Sequence, residues 1–322
     1  MDQGWIPLSD PDISLLEVDA VVDVLKSPRL SQGPAVAAFE SAFAAYADRR
    51  HGVAVAGGTL GLLLALKAIG IGPGDEVIAS PYSWHQIAHA IVLAGATPVF
   101  ADIDYWSGTL APEKVEEKIT PHTRAILAGN TNGHPAPWAA LREMAIRHGL
   151  RLIEDSTEAI GSTYQGRRVG GFGDVAVFDF SQPGALTCGE GGMVLTDDAE
   201  LASRIRSLRS RRLDERFSVV IGNSVPYQAG MNEPTAALGL TQLGRVEQIL
   251  ERRKAVERIY YDYVKSFEGI KDPYIGPDVT EVHWFLYLVH LGTRFTRSSR
   301  DAIVNDLATE KIEAAAYCQP QH

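Results

Sequence analysis

Asp155 and Glu158 stand three positions apart in the segment Leu152-Ile-Glu-Asp-Ser-Thr-Glu158. The apolar run that begins at Arg151 predicts a buried strand, so Asp155 lies just past a strand end, where parallel sheets collect their ligands. A carboxylate at this place can hold a protonated ring nitrogen. It can equally cap the next helix through its side chain, and the local sequence leaves both interpretations open.

A glycine turn between a predicted strand and a predicted helix, Ala54-Val-Ala-Gly-Gly-Thr-Leu60, has the features of an anion site. Free backbone N–H groups, the Thr59 hydroxyl and the positive end of the helix would face the anion. Glycines such as Gly58 allow close approach. A tight strand-to-helix connection also needs small residues, so phosphate binding and a purely structural turn are both open.

An aromatic residue and several histidines could add to such a site. Trp84, in Pro81-Tyr-Ser-Trp84, follows the end of the next predicted strand and could stack on a flat ring, or it could belong to the core. His85, His89 and His134 could act as acid–base groups, although a lone histidine is more often structural.

Short apolar runs alternate with amphipathic stretches over the first half of the chain. Continuous apolarity is what a parallel strand buried on both faces requires, so this alternation predicts a doubly wound, mostly parallel α/β sheet. The predicted strands are 52–56, 76–79, 98–101, 124–128 and 151–154, and the predicted helices are 59–69, 84–94 and 138–148.

The pattern changes after Asp174, and we expect a large domain over residues 1–245 and a small C-terminal α+β domain over 246–322. Two strands across a glycine-rich turn predict an antiparallel insertion, and one long helix follows them. The expected elements are strands at 175–180 and 192–196, a helix at 233–267, a strand at 283–290 and a helix at 298–309.

Composition excludes several classes of protein. The net charge of −10 disfavours general nucleic-acid binding. The two cysteines, Cys188 and Cys318, imply neither a disulfide framework nor a zinc site, and they fit a reducing cytoplasm. The N-terminus lacks a signal-peptide pattern, and no apolar run could span a bilayer. We therefore expect a soluble, cytoplasmic protein.

Taken together, motifs along nearly the whole chain resemble the DegT/StrS-type sugar aminotransferases, enzymes of fold type I that use pyridoxal phosphate. The loop before Gly192 resembles the branch of that family that acts on cyclitols and aminohydroxybenzoate precursors. The resemblance is carried by Ile6-Pro-Leu-Ser, Gly58-Thr59, Gly70-Ile-Gly-Pro-Gly-Asp-Glu-Val-Ile78, Gly95-Ala-Thr-Pro-Val-Phe100, Ile153-Glu-Asp155, Gly189-Glu-Gly-Gly192 and Gly230-Met-Asn232.

The resemblance implies roles for five residues. Gly58 and Thr59 correspond to the cradle of the cofactor phosphate, Trp84 to the aromatic that stacks on the ring, and Asp155 to the partner of the pyridine nitrogen. Asn232 is similar to the asparagine that reaches the phosphate of the neighbouring subunit, which implies a homodimer with interfacial sites.

The C-terminal segment also has a counterpart in the family. Ile312 to His322 resembles its Tyr-x-x-Pro-x-His segment, after which members normally continue for a few dozen residues. The small domain is therefore expected to be cut short, or its tail to be absent from the sequence.

The chain departs from the family at its central chemical group. No lysine occurs from Ile119 to Arg253, and Gly184 stands where the resemblance places the Schiff-base lysine, which holds the cofactor and carries a proton. Asp179 stands in place of a serine that assists the phosphate, and Glu158 in place of a glutamine.

The Asp179 substitution bears directly on cofactor binding. A carboxylate about 4 Å from a phosphate costs several kcal/mol, which corresponds to on the order of a hundredfold or more in affinity. Asp179 could escape this penalty by turning away or by pairing with an arginine.

Three functions fit these departures. The first is an enzyme for a ketosugar or cyclitol substrate that holds pyridoxal or pyridoxamine phosphate non-covalently, with His85 or Glu158 as the proton carrier. The second is a pseudoenzyme that serves as a partner or regulator, pairing with an active paralogue. The third is an enzyme without cofactor, in which Asp179 and Glu158 do the acid–base work. Ordinary transamination is not expected, because no lysine is available to recapture the cofactor.

Overall fold

A seven-stranded sheet forms the centre of the computed structural model, which describes residues 4–210, 225–292 and 295–318. The strands are β1 (His51–Val55), β2 (Glu76–Ala79), β3 (Thr97–Phe100), β4 (Thr123–Gly129), β5 (Arg151–Asp155), β6 (Thr163–Tyr164), β7 (Arg167–Arg168), β8 (Val175–Asp179), β9 (Gly192–Thr196), β10 (Ile270–Lys271), β11 (Val279–Glu281) and β12 (His290–Leu291). The helices are α1 (Leu15–Leu25), α2 (Pro34–Tyr46), α3 (Gly58–Ala68), α4 (Gln86–Leu93), α5 (Pro112–Glu116), α6 (Trp138–His148), α7 (Ala199–Arg209), α8 (Glu233–Gly244), α9 (Val246–Val264) and α10 (Arg297–Thr309).

The central sheet has the strand order β1-β9-β8-β5-β4-β2-β3. Neighbouring strands from β8 to β3 pair in parallel, and β9 runs antiparallel to both β8 and β1. The predicted doubly wound, mostly parallel α/β sheet is therefore confirmed. The two strands expected after Asp174 are β8 and β9, which pair antiparallel as predicted and lie inside the main sheet with all their residues buried.

Helices cover both faces of this sheet. On one face, Leu62 and Leu66 of α3 pack with Ile91 of α4 against apolar side chains of the strands. On the other, Phe43 of α2 packs edge-on against Phe178 of β8, with ring centroids 4.9 Å apart. This layering brings the carboxyl ends of β5 and β8 and the turn between β1 and α3 to the same edge of the sheet.

The long helix expected over 233–267 is two helices. The first ends at Gly244, Arg245 has non-helical dihedral angles (φ −112°, ψ 2°), and the second begins at Val246. Glycine weakens a helix interior. The Arg245 guanidinium is in addition tied to Asp12 at 2.8 Å and to Glu17.

The strand expected over 283–290 was also wrong except for its last residue, which begins β12. The backbone N–H groups of this segment donate to groups of the large sheet's loops instead of a neighbouring strand. His283 N–H donates to Ser162 Oγ at 2.9 Å, and Phe285 and Leu286 N–H donate to the Asn132 carbonyl and side-chain oxygens at 3.2 and 3.0 Å. The segment is therefore held as a bent loop against Asn132.

Small β elements and a final helix make up the rest of the described C-terminal part. β10 pairs with β12, and β11 adds to a small sheet with β6 and β7. The helix expected over 298–309 is confirmed as α10, whereas the division into domains at residue 245 stays a prediction. Within the described residues, no helix combines the length and apolarity that crossing a membrane requires.

Candidate active site

Asp155 lies at the carboxyl end of β5 and is 6% exposed. Its Oδ1 accepts a hydrogen bond from the Thr157 N–H at 3.1 Å, and Gln86 Nε2 donates to its Oδ2 at 3.5 Å. Burial, reinforced by the nearby charge of Asp179, raises the pKa of Asp155. One oxygen thus serves a turn rather than the start of a helix, because β6 is the next element along the chain, and the other oxygen faces α4.

Glu158 lies at the centre of a buried hydrogen-bond network. Its Oε1 accepts from the Trp84 indole N–H, and its Oε2 accepts from the Asn132 backbone N–H and, at 2.6 Å, from the Tyr317 hydroxyl. Burial raises the pKa of Glu158 to about 7, and the nearby Asp155 adds to the rise. At neutral pH this carboxyl group therefore exists in both protonation states.

Asp179, at the end of β8, points into the glycine turn and neither turns away nor pairs with an arginine among the described residues. Its Oδ2 accepts from the Gly58 N–H at 2.5 Å, and its Oδ1 accepts from the Ser181 N–H at 2.8 Å and from the Ser181 hydroxyl. The residue is 9% exposed. The end of α3 that the sequence assigned to a phosphate therefore holds a side-chain carboxylate.

Gly184 lies in the partly exposed loop between β8 and β9. A Cβ built on it would stand 3.3 Å from the carbonyl oxygens of both Ser181 and Leu186, so any side chain requires a small shift of this loop. The first lysine after the lysine-free stretch, Lys254, is paired with Glu257 at 3.2 Å. The correspondence of Gly184 to a lost lysine stays a prediction.

The remaining predicted site residues are Trp84, Thr59, His85, His89 and Asn232. Trp84 is 38% exposed and joins the site through Glu158. Thr59 is partly buried in the first turn of α3, beside Gly58. His85 and His89 are exposed and lie against each other, with ring centroids 5.1 Å apart. Asn232 is exposed and caps α8, its Oδ1 accepting from the Thr235 N–H at 2.9 Å.

His134 has the contacts of a structural histidine. It is buried, one ring nitrogen faces the Pro135 carbonyl at 2.8 Å, and the other accepts from the Gly276 N–H at 3.0 Å. Burial lowers its pKa. Both ring nitrogens are therefore used in holding two loops together, which favours the structural alternative over acid–base work.

Sequence reasoning missed three groups that contact the predicted carboxylates: the backbone N–H of Asn132, the Gln86 amide and the Tyr317 hydroxyl. The Asn-Gly pair at 132–133 is a turn signal, and Asn132 does adopt a positive φ of 50°. The sequence alone could therefore have predicted a turn at Asn132. The contact of Tyr317 spans 159 positions, and no local pattern reports it.

A cavity of about 250 Å³ adjoins this network. Asn132 is part of its wall, and so is Tyr82, whose ring packs edge-on against that of Tyr317 at 5.5 Å. Several aromatic rings line the rest of the cavity, as suits the apolar faces of a sugar or a flat ring. They are Tyr105, Trp106, Tyr274, Trp284 and His290, and the other lining residues are Ile103, Ser107, Gly108, Thr131, Pro273 and Leu288.

The family model of the DegT/DnrJ/EryC1/StrS aminotransferases matches residues 11–322. The chain is 37% identical over 328 residues to the spore coat polysaccharide biosynthesis protein SpsC of Bacillus subtilis, covering 99% of this chain and 84% of that protein. It is 36% identical over 325 residues to GDP-perosamine synthase of Caulobacter vibrioides, covering 100% and 86%. The crystal structure of S. venezuelae DesV superposes with a TM-score of 0.84 at 37% identity, covering 92% of this chain and 78% of that one. By sequence and by fold, this chain belongs to the DegT/DnrJ/EryC1/StrS aminotransferase family.

Proposed function

We propose that this chain acts on a ketosugar or cyclitol-type substrate in sugar or natural-product biosynthesis, by acid–base chemistry rather than by ordinary transamination. Membership of a sugar aminotransferase family supports the substrate class, as do relatives named for a polysaccharide and a GDP-linked sugar. The lysine-free stretch from Ile119 to Arg253 argues against capture of a cofactor on a lysine in this region.

The observation that carries the proposal is the environment of Glu158. An acid–base group works best when its pKa lies near the working pH, and burial raises the pKa of Glu158 to about 7. The same carboxylate is bonded to the Asn132 N–H, and Asn132 also lines the aromatic cavity. Glu158 is a stronger candidate for the proton carrier than His85, which is exposed and lies against His89.

The residues present do not fit the phosphate of pyridoxal or pyridoxamine phosphate. Trp84 and Asp155 are compatible with the ring of such a cofactor, but the Asp179 carboxylate is bonded to the Gly58 N–H, where its phosphate would bind. The Asp179 carboxylate and a phosphate bound beside it would repel each other strongly, because both are negatively charged. The proposed chemistry therefore uses no step through that cofactor.

The step we propose is proton exchange at the carbon next to the substrate ketone. The Glu158 carboxylate takes the proton, the C–H electron pair moves to form an enolate on the carbonyl oxygen, and a proton then returns from Glu158 or water to the carbon. No electron is gained or lost, so no external oxidant or reductant is required. Return to the opposite face would give an epimer.

The test is solvent exchange on cofactor-stripped, full-length protein in D₂O. We expect deuterium to enter nucleotide-linked 4-ketohexoses or unlinked ketocyclitols, detected by mass spectrometry, with a rate that rises with pH and levels above about pH 7. Glu158→Gln should lower the rate on the order of a hundredfold or more. The matched His85→Gln variant should keep it. Absence of exchange with the whole substrate panel would overturn the proposal.

A second candidate is a non-catalytic partner of an active relative. It is favoured by the fact that both oxygens of Asp179 and both oxygens of Glu158 are already engaged by donors within the chain. Native mass spectrometry of the protein purified from its own cells separates the two. A homodimer that exchanges deuterium supports the enzyme, and a mixed dimer whose activity belongs to the other chain supports the partner.

A further inference from the structure

The N-terminus of α3 is the place where an anion is expected in this fold, and here a side chain supplies it. Gly58 is the first residue of α3, and its N–H is one of the donors that a helix leaves without an internal partner. The Asp179 Oδ2 accepts from this N–H at 2.5 Å. The positive end of the helix is thereby matched by a negative charge from β8, 121 positions away in the chain.

A second set of contacts fixes the other oxygen of the same carboxylate. The Ser181 N–H donates to Asp179 Oδ1 at 2.8 Å, and the Ser181 hydroxyl donates to it as well. The Asp179 N–H itself donates to the Thr157 hydroxyl at 3.1 Å. Because both oxygens and the backbone are held, the carboxylate cannot leave the end of α3 without breaking several bonds.

The glycine turn packs closely against the carboxylate at Gly58. A Cβ on Gly58 would lie 2.8 Å from Asp179 Oδ2 and 2.7 Å from Asp179 Cβ. A Cβ on Gly57 would lie 3.8 Å from the same oxygen, which is ordinary contact. The space that close approach to an anion requires at this turn is therefore taken up by Asp179 itself.

The charges around Asp179 also disfavour a phosphate at this turn. No lysine, arginine or histidine forms an ion pair with Asp179 within the part of the chain that the structure describes. A phosphate about 4 Å away would meet this carboxylate without a compensating cation, at an expected cost on the order of a hundredfold or more in affinity.

We infer that Asp179 is a built-in substitute for the cofactor phosphate: it fills the anion site at α3, stabilises the fold there, and excludes phosphate-bearing cofactors. This holds whether or not Glu158 performs the proposed chemistry, because it concerns only the end of α3. It changes the site from one completed by a ligand to one completed by the chain.

The test compares the full-length protein with Asp179→Ser, which removes the carboxylate and leaves space. The probes are pyridoxal phosphate, pyridoxal without phosphate, and inorganic phosphate against chloride at matched ionic strength. We expect the wild type to bind both pyridoxal compounds equally weakly in calorimetry, with a melting temperature indifferent to inorganic phosphate. Asp179→Ser should melt lower, regain stability in inorganic phosphate, and bind pyridoxal phosphate at least a hundredfold more tightly than the wild type does.

Two further variants keep the result interpretable. Asp179→Ala also removes the charge and frees the same space, so it replaces the serine variant if that one fails to fold. Asp198→Ser is the matched control, because Asp198 caps α7 through the N–H groups of Glu200 and Leu201 outside the pocket. It should lose stability without gaining any response to phosphate.

Two outcomes would overturn the inference. One is a wild-type protein that binds pyridoxal phosphate a hundredfold more tightly than pyridoxal. The other is a pair of folded Asp179 variants that remain as indifferent to phosphate as the wild type. Neither outcome depends on deuterium exchange at a ketosugar, so failure here and failure of the proposed function are distinguishable.

Discussion

Two buried glutamates of this protein have pKa values that move in opposite directions. Glu17, on α1, is 1% exposed, and Glu158, in the candidate site, is 8% exposed. The pKa of Glu17 falls to about 2, whereas that of Glu158 rises to about 7, from the same ordinary value of 4.5. Burial alone would raise both, so the difference must come from the partners.

Those partners differ in charge more than in number. Burial raises the pKa of Glu17, but hydrogen bonds from Ser14 and from the Arg245 guanidinium outweigh it. Glu158 also accepts three hydrogen bonds, but all come from neutral donors, and the nearest charge that acts on it is the like charge of Asp155.

Two other buried acids, Glu233 and Asp179, both lie at the N-terminus of a helix and accept from backbone N–H groups. Glu233 is 1% exposed and accepts from the N–H groups of Gly33, Ala35 and Val36 at 2.8 to 2.9 Å, which caps α2. Asp179 caps α3 in a similar way, but at the edge where the candidate site lies. Neutral backbone donors at a helix N-terminus thus hold a buried carboxylate both away from the site and within it.

The largest expected effect is on the pH dependence of stability, through Glu158→Gln. The folded protein binds the Glu158 proton more tightly than the unfolded chain does, so wild-type stability falls as pH rises from 4.5 to about 7. The glutamine variant has no titrating group at this position, so its stability does not fall in this way. Urea unfolding should show the difference in free energy between variant and wild type shifting by about 3 kcal/mol in favour of the variant between pH 4.5 and pH 8.

The change across pH is the quantity that matters here, because the amide also loses an acceptor for Trp84 at every pH. That constant cost cancels when the two pH values are compared. A difference that does not vary with pH would mean that Glu158 stays ionised in the fold, and the contrast with Glu17 would then be lost.

Glu17→Gln should have the opposite sign and a smaller size. The folded pKa of Glu17 lies below the unfolded value, so its contribution is present above pH 4.5 and is lost as pH falls toward 2. We expect the variant to be less stable at pH 7 by about 2 kcal/mol, allowing for solvent screening around Arg245. The deficit should shrink between pH 4.5 and pH 3 in urea unfolding. A deficit of equal size at both pH values would assign it to packing.

Much of the fold followed from the sequence because it depends on local patterns. The strands β1, β2, β4 and β5 are mostly buried apolar runs, and a run of that kind needs little information from distant residues. The helix over 233–267 failed at Gly244 and Arg245, where a local glycine coincides with ion pairs from Arg245 to Asp12 and Glu17, which are distant in the chain. The strand over 283–290 failed because its backbone bonds go to Asn132 and Ser162.

Some features of the candidate site could likewise be predicted from the sequence, and others could not. That Asp155 follows a strand end was predictable, since it depends only on strand position. The direction of the Asp179 side chain was not, because turning away, pairing with an arginine and binding the Gly58 N–H are all compatible with the same sequence. The raised pKa of Glu158 was equally out of reach, since it depends on burial, which no local pattern reports.

The smallest expected effect comes from removing one of the neutral donors to Glu158, which tests how much such donors contribute to the difference from Glu17. Tyr317→Phe deletes the hydroxyl that donates to Glu158 Oε2 at 2.6 Å, a bond that favours the ionised carboxylate. The pKa of Glu158 should therefore rise further, by roughly one unit, which corresponds to about 1 kcal/mol. The midpoint of the Glu158 titration can be followed by the fluorescence of Trp84, whose indole N–H donates to Glu158 Oε1. The Trp84 signal is identified as the part of the fluorescence that is lost in Trp84→Phe.

Tyr82→Phe is the control for Tyr317→Phe. The Tyr82 ring packs on Tyr317, so this variant loses a hydroxyl from the same cluster but keeps the bond between Tyr317 and Glu158. An unchanged midpoint in Tyr317→Phe would mean that neutral donors contribute little at Glu158, leaving burial and Asp155 to set its pKa.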